Sequence, residues 1–214
     1  MSCCCPEASS ASRLFSYFAR SYRKRYAKKG FEKSQKQLVE GLKKAGIEGK
    51  TLLEIGSGVG YLHQTLLQLG AVSATGVDLS PKMIAEAIAS ANEKGLSDRT
   101  DYIQNDFVNI AEKLDAADVT ILDKVVCCYP DADALVHKSL EHTNSVYALT
   151  YPRDRWFVRL ASKLMAGIFW LLRMDFRNHV HNPLQLEQWI REAGFRKEYE
   201  NRTIGWQTQV FVRS

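Results

Sequence analysis

Apolar residues recur along this chain with two different spacings, and the way the spacings alternate predicts the architecture. Residues 14–30 and 32–45 have helical spacing, and in the second segment Leu38, Val39 and Leu42 form one stripe that Gly46 closes. Beyond Lys50 short apolar runs alternate with helical patterns. Strands are expected at 51–55, 74–78, 101–104, 119–123 and 146–150, and helices at 61–69, 81–94 and 132–140. Ser80 followed by Pro81 suits an N-cap with proline at the first helical position. A further helix at 183–193, stopped by Gly194, precedes two alternating segments at 195–202 and 207–212. This order predicts an α/β, Rossmann-like doubly wound sheet of about seven strands, mostly parallel, with ligands at the carboxyl ends of the strands.

The segment 156–173, WFVRLASKLMAGIFWLLR, is helical and rich in large apolar residues, but Arg159 and Lys163 make it too charged and too short for a membrane span. Three readings stand: a lid over the substrate, an interfacial helix, or a core helix whose basic side chains reach out to water.

The densest chemistry lies between Thr51 and Asp78, where strand, glycine turn, helix and strand follow one another within a single βαβ unit. Gly56, Gly58 and Gly60, with Ser57 between them, let backbone N–H groups approach a ligand closely. The dinucleotide fingerprint requires a glycine where this chain has Tyr61. Glu54 stands two residues before the first glycine, where a pyrophosphate would meet a like charge and a sulfonium amino acid an opposite one. Asp78 closes the second strand, where a carboxylate accepts ribose hydroxyls. The cofactor expected from these residues is S-adenosyl-L-methionine.

With LLEIGSGVG, GVDLSPKMIAEA, QNDF and ILDKVVCCYPD in place, the chain resembles the class I S-adenosylmethionine-dependent methyltransferases from about Lys50 to its end. The resemblance implies that Glu54, Gly56 and Gly58 line the methionine and ribose side, with Ser57, Gly60 and Met83 also at the cofactor. Asp78 would hold the ribose and Leu79 flank the adenine. Asp106 would hydrogen-bond the adenine and Phe107 pack on it. Asp123 is counted with the cofactor, although Lys124 follows it where many relatives have an apolar residue. The family further implies leading helices that cover the cofactor and an antiparallel strand pair at the end. The spacing from Asp123 to Tyr129 and Pro130, with the later RNHVHNP, is similar to the magnesium-protoporphyrin methyltransferase branch and its small bacterial relatives, while the Cys127–Cys128 pair departs from it.

At 214 residues with 45 % hydrophobic content the chain suits one domain. The expected division is a Cys-rich tail at 1–12 and a domain at 13–214. Within it lie leading helices (13–48), a cofactor core (50–150), a lid or substrate region (151–182) and a closing helix and strands (183–214). Charge is lopsided: residues 13–50 hold twelve Lys and Arg against three Glu, in a chain whose total is only +5. A solvated helical face is preferred over a membrane contact, and the absence of an aromatic stacking pattern argues against nucleic acid. Cysteines at 3–5 and 127–128 do not form a secreted disulfide framework, and with no apolar leader the compartment expected is the cytoplasm. No metal-ligand spacing accompanies them.

For acid or base work the residues available are His181, Tyr129 and His179. The two histidines alternate and would face one side of an extended segment. Tyr22 and Tyr26 on the first helix are placed either to close over the methyl donor or simply to pack. The function expected is methylation of oxygen or sulfur on a small acceptor, lipophilic, aromatic or thiol. A thiol or sulfide S-methyltransferase and a cofactor-binding module that works at a membrane or partner surface are the two alternatives.

Overall fold

The computed structural model describes residues 6–171 and 176–214, with side chains from Ser10 onward. Cys3, Cys4, Cys5 and the last two positions of the expected 156–173 helix lie outside the described residues. Two helices lead, α1 (Pro6–Lys29) and α2 (Lys33–Ala45). Then follow β1 (Thr51–Ile55), α3 (Tyr61–Gln68), β2 (Ser73–Asp78), α4 (Pro81–Glu93), β3 (Thr100–Gln104), the single turn α5 (Phe107–Ile110), β4 (Ala117–Asp123), α6 (Ala132–Glu141) and β5 (Thr143–Pro152). The last third holds α7 (Trp156–Leu171), α8 (Pro183–Glu192), β6 (Phe195–Arg202) and β7 (Trp206–Arg213).

The seven strands form one sheet in the order β3-β2-β1-β4-β5-β7-β6. Strands β1 to β5 pair in parallel, and β7 runs antiparallel between β5 and β6. The order reverses at β1, which pairs with β2 on one side and β4 on the other, so the switch-point crevice opens at the carboxyl ends of β1 and β4.

Alternation along the strands separates two cores. Leu53 and Ile55 join Leu122, Tyr147, Leu149 and Phe211 under α6 and α8. Leu52 joins Val119, Ile121 and Val210 on the opposite face under α2 and α3. Each fully buried leucine here contributes about 2 kcal/mol. Local signals work as read: the Ser80 side chain accepts the Met83 N–H at 3.2 Å and Pro81 opens α4, a cap worth about 1 kcal/mol. Helix α1 begins eight residues earlier than its apolar spacing suggests, because Pro6 suits the first helical turn and the Ala- and Ser-rich stretch after it contains no breaker.

Candidate active site

The glycine turn after β1 is built from backbone in the left-handed region, with φ of 68° at Gly56, 54° at Gly58 and 77° at Gly60. A Cβ on Gly56 would lie 1.9 Å from Cγ2 of Val125, so this glycine lets the β1 turn cross the loop after β4. Gly58 has open space where its side chain would be. Gly60 packs against Gln64 and Ala87 and thereby seats α3 on α4. Ser57 is buried, and its Oγ has no partner among the described residues.

Asp78 closes this turn. Its Oδ2 accepts the Gly58 N–H and its Oδ1 the Ser80 N–H, both at 2.8 Å. Burial raises its pKa, while the two N–H groups pull it back. Each oxygen keeps capacity for a second donor, which suits a vicinal diol. Helix α1 covers this corner: Ser12 Oγ donates to the Leu79 carbonyl at 2.9 Å, and Ser16 and Ser80 hydroxyls meet at 2.8 Å. Leu79 packs among Phe15, Phe169 and Phe176. Met83 is buried beside Ala19 and Val59 under α1.

Asp106 caps α5 with Oδ1, which accepts the Val108 N–H at 3.1 Å and the Tyr129 hydroxyl at 2.7 Å. The Tyr129 hydroxyl is thereby engaged by Asp106; burial and then the Asp106 charge push its pKa well above the ordinary range. The Phe107 ring is directed into the main core.

Glu54 sits at the bottom of the crevice, 3 % exposed. Its Oε2 accepts from His63 twice, from Nδ1 at 2.6 Å and from the backbone N–H at 3.2 Å. The orientation of the Gln64 amide follows from one cation. The Lys94 ammonium can only donate, so the Gln64 atom it meets at 2.9 Å is the carbonyl oxygen. Gln64 Nε2 consequently donates to the Tyr102 hydroxyl at 2.9 Å, the same hydroxyl meets His63 Nε2 at 2.9 Å, and the carboxylate 2.6 Å from Nδ1 is served by a hydrogen on that nitrogen. Burial raises the Glu54 pKa, His63 opposes this, and the charge of Asp123 adds to the rise.

Asp123 ends β4. Its Oδ2 accepts from Gln35 Nε2 at 2.9 Å, and its Oδ1 is buried with no partner among the described residues. Two carboxylates thus share the crevice with one lone oxygen unsatisfied, an arrangement that calls for a cation with N–H donors. The ammonium end of S-adenosylmethionine fits it, as the open side of Gly58 and the spare capacity of Asp78 fit the ribose. Lys124 turns away from this pair. Its φ of 60° is strained for a non-glycine, by about 1–3 kcal/mol, and lets its ammonium reach Glu32 at 2.5 Å and lie over Trp206.

The histidine segment lies against the same β4 loop. His181 Nε2 donates to the carbonyls of Val126 (3.1 Å) and Tyr129 (3.0 Å), and burial lowers its pKa. The His179 backbone N–H bonds the Cys127 carbonyl at 2.8 Å, and the two imidazoles stack with centroids 5.9 Å apart. His179 Nε2 is buried and has no partner among the described residues. Cys127 and Cys128 both donate to the Lys124 carbonyl, and the Cys127 thiol is held well above its ordinary pKa by its neighbour Cys128 and by burial. Tyr26 stacks on Tyr61 at 3.9 Å beneath Lys94, so it packs at the rim. The parallel strands and the β4 loop thus bring Asp78, Asp106, Glu54, Asp123 and the three acid/base residues to one end of the sheet. Sequence reasoning missed His63, Gln64, Tyr102 and Lys94; the one signal was a polar pair, His63–Gln64, inside the buried stripe of Leu62, Leu66 and Leu67.

Residues 52–145 match the methyltransferase domain family. The chain is 28 % identical over 158 residues to the ubiquinone biosynthesis O-methyltransferase of Pseudomonas paraeruginosa, covering 71 % of this chain and 66 % of that protein, just under two thirds of its length. It is 38 % identical over 76 residues to the ribosomal protein L11 methyltransferase of an Enterobacter species, 35 % of this chain and 25 % of the relative. Among solved structures, magnesium protoporphyrin IX methyltransferase from Synechocystis PCC 6803 with bound SAH shares the fold, with a TM-score of 0.72 at 20 % identity over 97 % of this chain and 100 % of that one.

Proposed function

We propose that this chain, which belongs to the class I S-adenosylmethionine-dependent methyltransferases, transfers a methyl group to oxygen on a small, apolar acceptor. The observation that carries the reading is the pairing of Glu54 with Asp123, whose Oδ1 is buried and unpartnered, beside the Gly58 opening and Asp78. Bound S-adenosylmethionine supplies a methyl group already activated by its sulfonium. The chain's own work is then to position and to manage one proton. Glu54 and Asp123 take the ammonium end, Asp78 the ribose hydroxyls, and Asp106 the adenine edge through Oδ2, its oxygen not engaged by Tyr129. Leu79 flanks the base.

Of the three acid/base residues, His179 is the one with an imidazole nitrogen, Nε2, that has no partner among the described residues. His181 is occupied by two carbonyls and Tyr129 by Asp106. His179 Nε2 therefore takes the proton of a hydroxyl acceptor, while His181 holds the loop that presents it. An oxygen acceptor is supported by the relative named as a ubiquinone biosynthesis O-methyltransferase. The test is S-adenosylhomocysteine formation on a panel of phenols, carboxylates, small thiols and amines. Turnover on phenols or carboxylates supports the reading, whereas turnover confined to thiols or amines overturns the choice of oxygen.

A further inference from the structure

The wheel of α7 divides into three sectors, and only one of them meets the rest of the described residues. Val158, Ser162, Ala166 and Phe169 face the domain, where Ser162 Oγ accepts from Asn178 and Phe169 packs on Phe176. Phe157, Leu160, Leu164, Met165, Ile168 and Leu171 form a continuous apolar arc on the far side, with Leu164 62 % and Leu171 76 % exposed. None of the sixteen residues of the helix is buried. Between the two sectors runs a stripe of Arg159 and Lys163, bracketed by Trp156 and Trp170, each more than three quarters exposed.

We infer that α7 is an interfacial helix that docks this end of the domain on an anionic lipid surface. Charge complementarity selects this occupant. Residues 8–31 contain seven Lys and Arg and no Asp or Glu, and on α1 Arg13, Arg20 and Lys24 are exposed with no ion pair among the described residues. Helix α1 neighbours α7 through the cluster of Phe15, Phe176 and Phe169, so its outward cationic face and the apolar arc of α7 belong to the same end of the domain. In α7 and the three residues before it the acid is Asp154, and Arg159 neutralises it. A broad apolar arc with flanking cations and tryptophans at both ends is what a helix lying in the headgroup plane requires. No described helix is long and apolar enough to cross a membrane. Leu79 and Cys128 join the aromatic cluster beneath α1 and α7, so the docking helix lies over the strand ends that carry the candidate site. The docking stands on the surface alone. Its corollary, that an apolar acceptor enters from the bilayer, rests on the reaction proposed above.

The experiment is co-sedimentation of the full chain with phosphatidylcholine vesicles, with and without phosphatidylglycerol, at low and high salt. Binding about tenfold stronger to the anionic vesicles, weakened by salt and accompanied by a blue shift of tryptophan emission, is expected. The exposed triple variant Leu160→Asp, Leu164→Asp, Ile168→Asp is expected to lose it, and Arg13→Glu with Arg20→Glu to weaken it, both with unchanged S-adenosylhomocysteine affinity. Absence of anionic preference, or wild-type binding by the triple variant, overturns the inference. So does self-association that the triple variant abolishes without any vesicle binding, which would assign the face to a second copy.

Discussion

Nδ1 of His63 lies 2.6 Å from Oε2 of Glu54, and both side chains are sealed from solvent at the base of the crevice. Lys94, at the rim, orients the Gln64 amide, which donates to Tyr102, whose hydroxyl in turn meets His63 Nε2. The carboxylate proposed to meet the cofactor's cation is thus aimed by a network of four side chains, His63, Gln64, Tyr102 and Lys94.

Removing the charge at Glu54 separates stability from binding. The folded pKa of Glu54 lies above its ordinary value, so its contribution to stability is complete below the ordinary carboxylate range and is lost as pH rises through the folded value. In Glu54→Gln the amide oxygen still accepts from His63 and the new N–H faces the Asp123 carboxylate. The ligand-free variant is expected to melt higher than wild type at about pH 8 and near it at about pH 4, while binding S-adenosylmethionine about tenfold or more weakly. Thermal melts across pH with parallel calorimetry check both halves.

The glycines of the turn are expected to fail differently. Gly56→Ala drives a methyl into Val125 and should lose several kcal/mol of stability, about 3 or more, partly restored by adding Val125→Ala. Gly58→Ala meets nothing in the protein, so it costs only about 1–2 kcal/mol of left-handed strain but fills the crevice. Melting temperature should report the first and cofactor affinity the second.

The acid/base residues divide by what already engages them. His179→Gln is expected to lower kcat on a hydroxyl acceptor by about a hundredfold with cofactor affinity unchanged. His181→Ala removes a double clamp on the β4 loop and should destabilise the fold by about 1–2 kcal/mol. Tyr129→Phe deprives Asp106 of a donor, so it should weaken cofactor binding a few-fold and leave kcat near wild type; loss of kcat there would return the base role to Tyr129. Steady-state kinetics at saturating cofactor separate the three.

What the sequence made legible was the set of strand ends. Alternating βα units put Glu54, Asp78 and Asp123 at carboxyl termini whatever the packing, and the glycine spacing located the turn between them. The wiring behind Glu54 was not legible because it joins α3, β3 and α4, and no local pattern pairs His63 with Tyr102 across two strands. His63 and Gln64 also occupy inward positions that helical periodicity assigns to apolar residues. For α7 the helix could be read but its orientation could not: a run with large apolar residues on most of its surface fits core, lid or interface equally until Val158, Ser162 and Ala166 are seen to be its inner face.

The most direct measurement is calorimetric titration of S-adenosylhomocysteine into the wild-type chain, Asp78→Asn and Asp123→Asn, with melting curves to establish that each is folded. One saturable site in the wild type, weakened about tenfold or more in both folded variants, is the expected result. Equal affinity in all three would contradict the site at the carboxyl ends of β2 and β4, and with it the proposed methyl transfer.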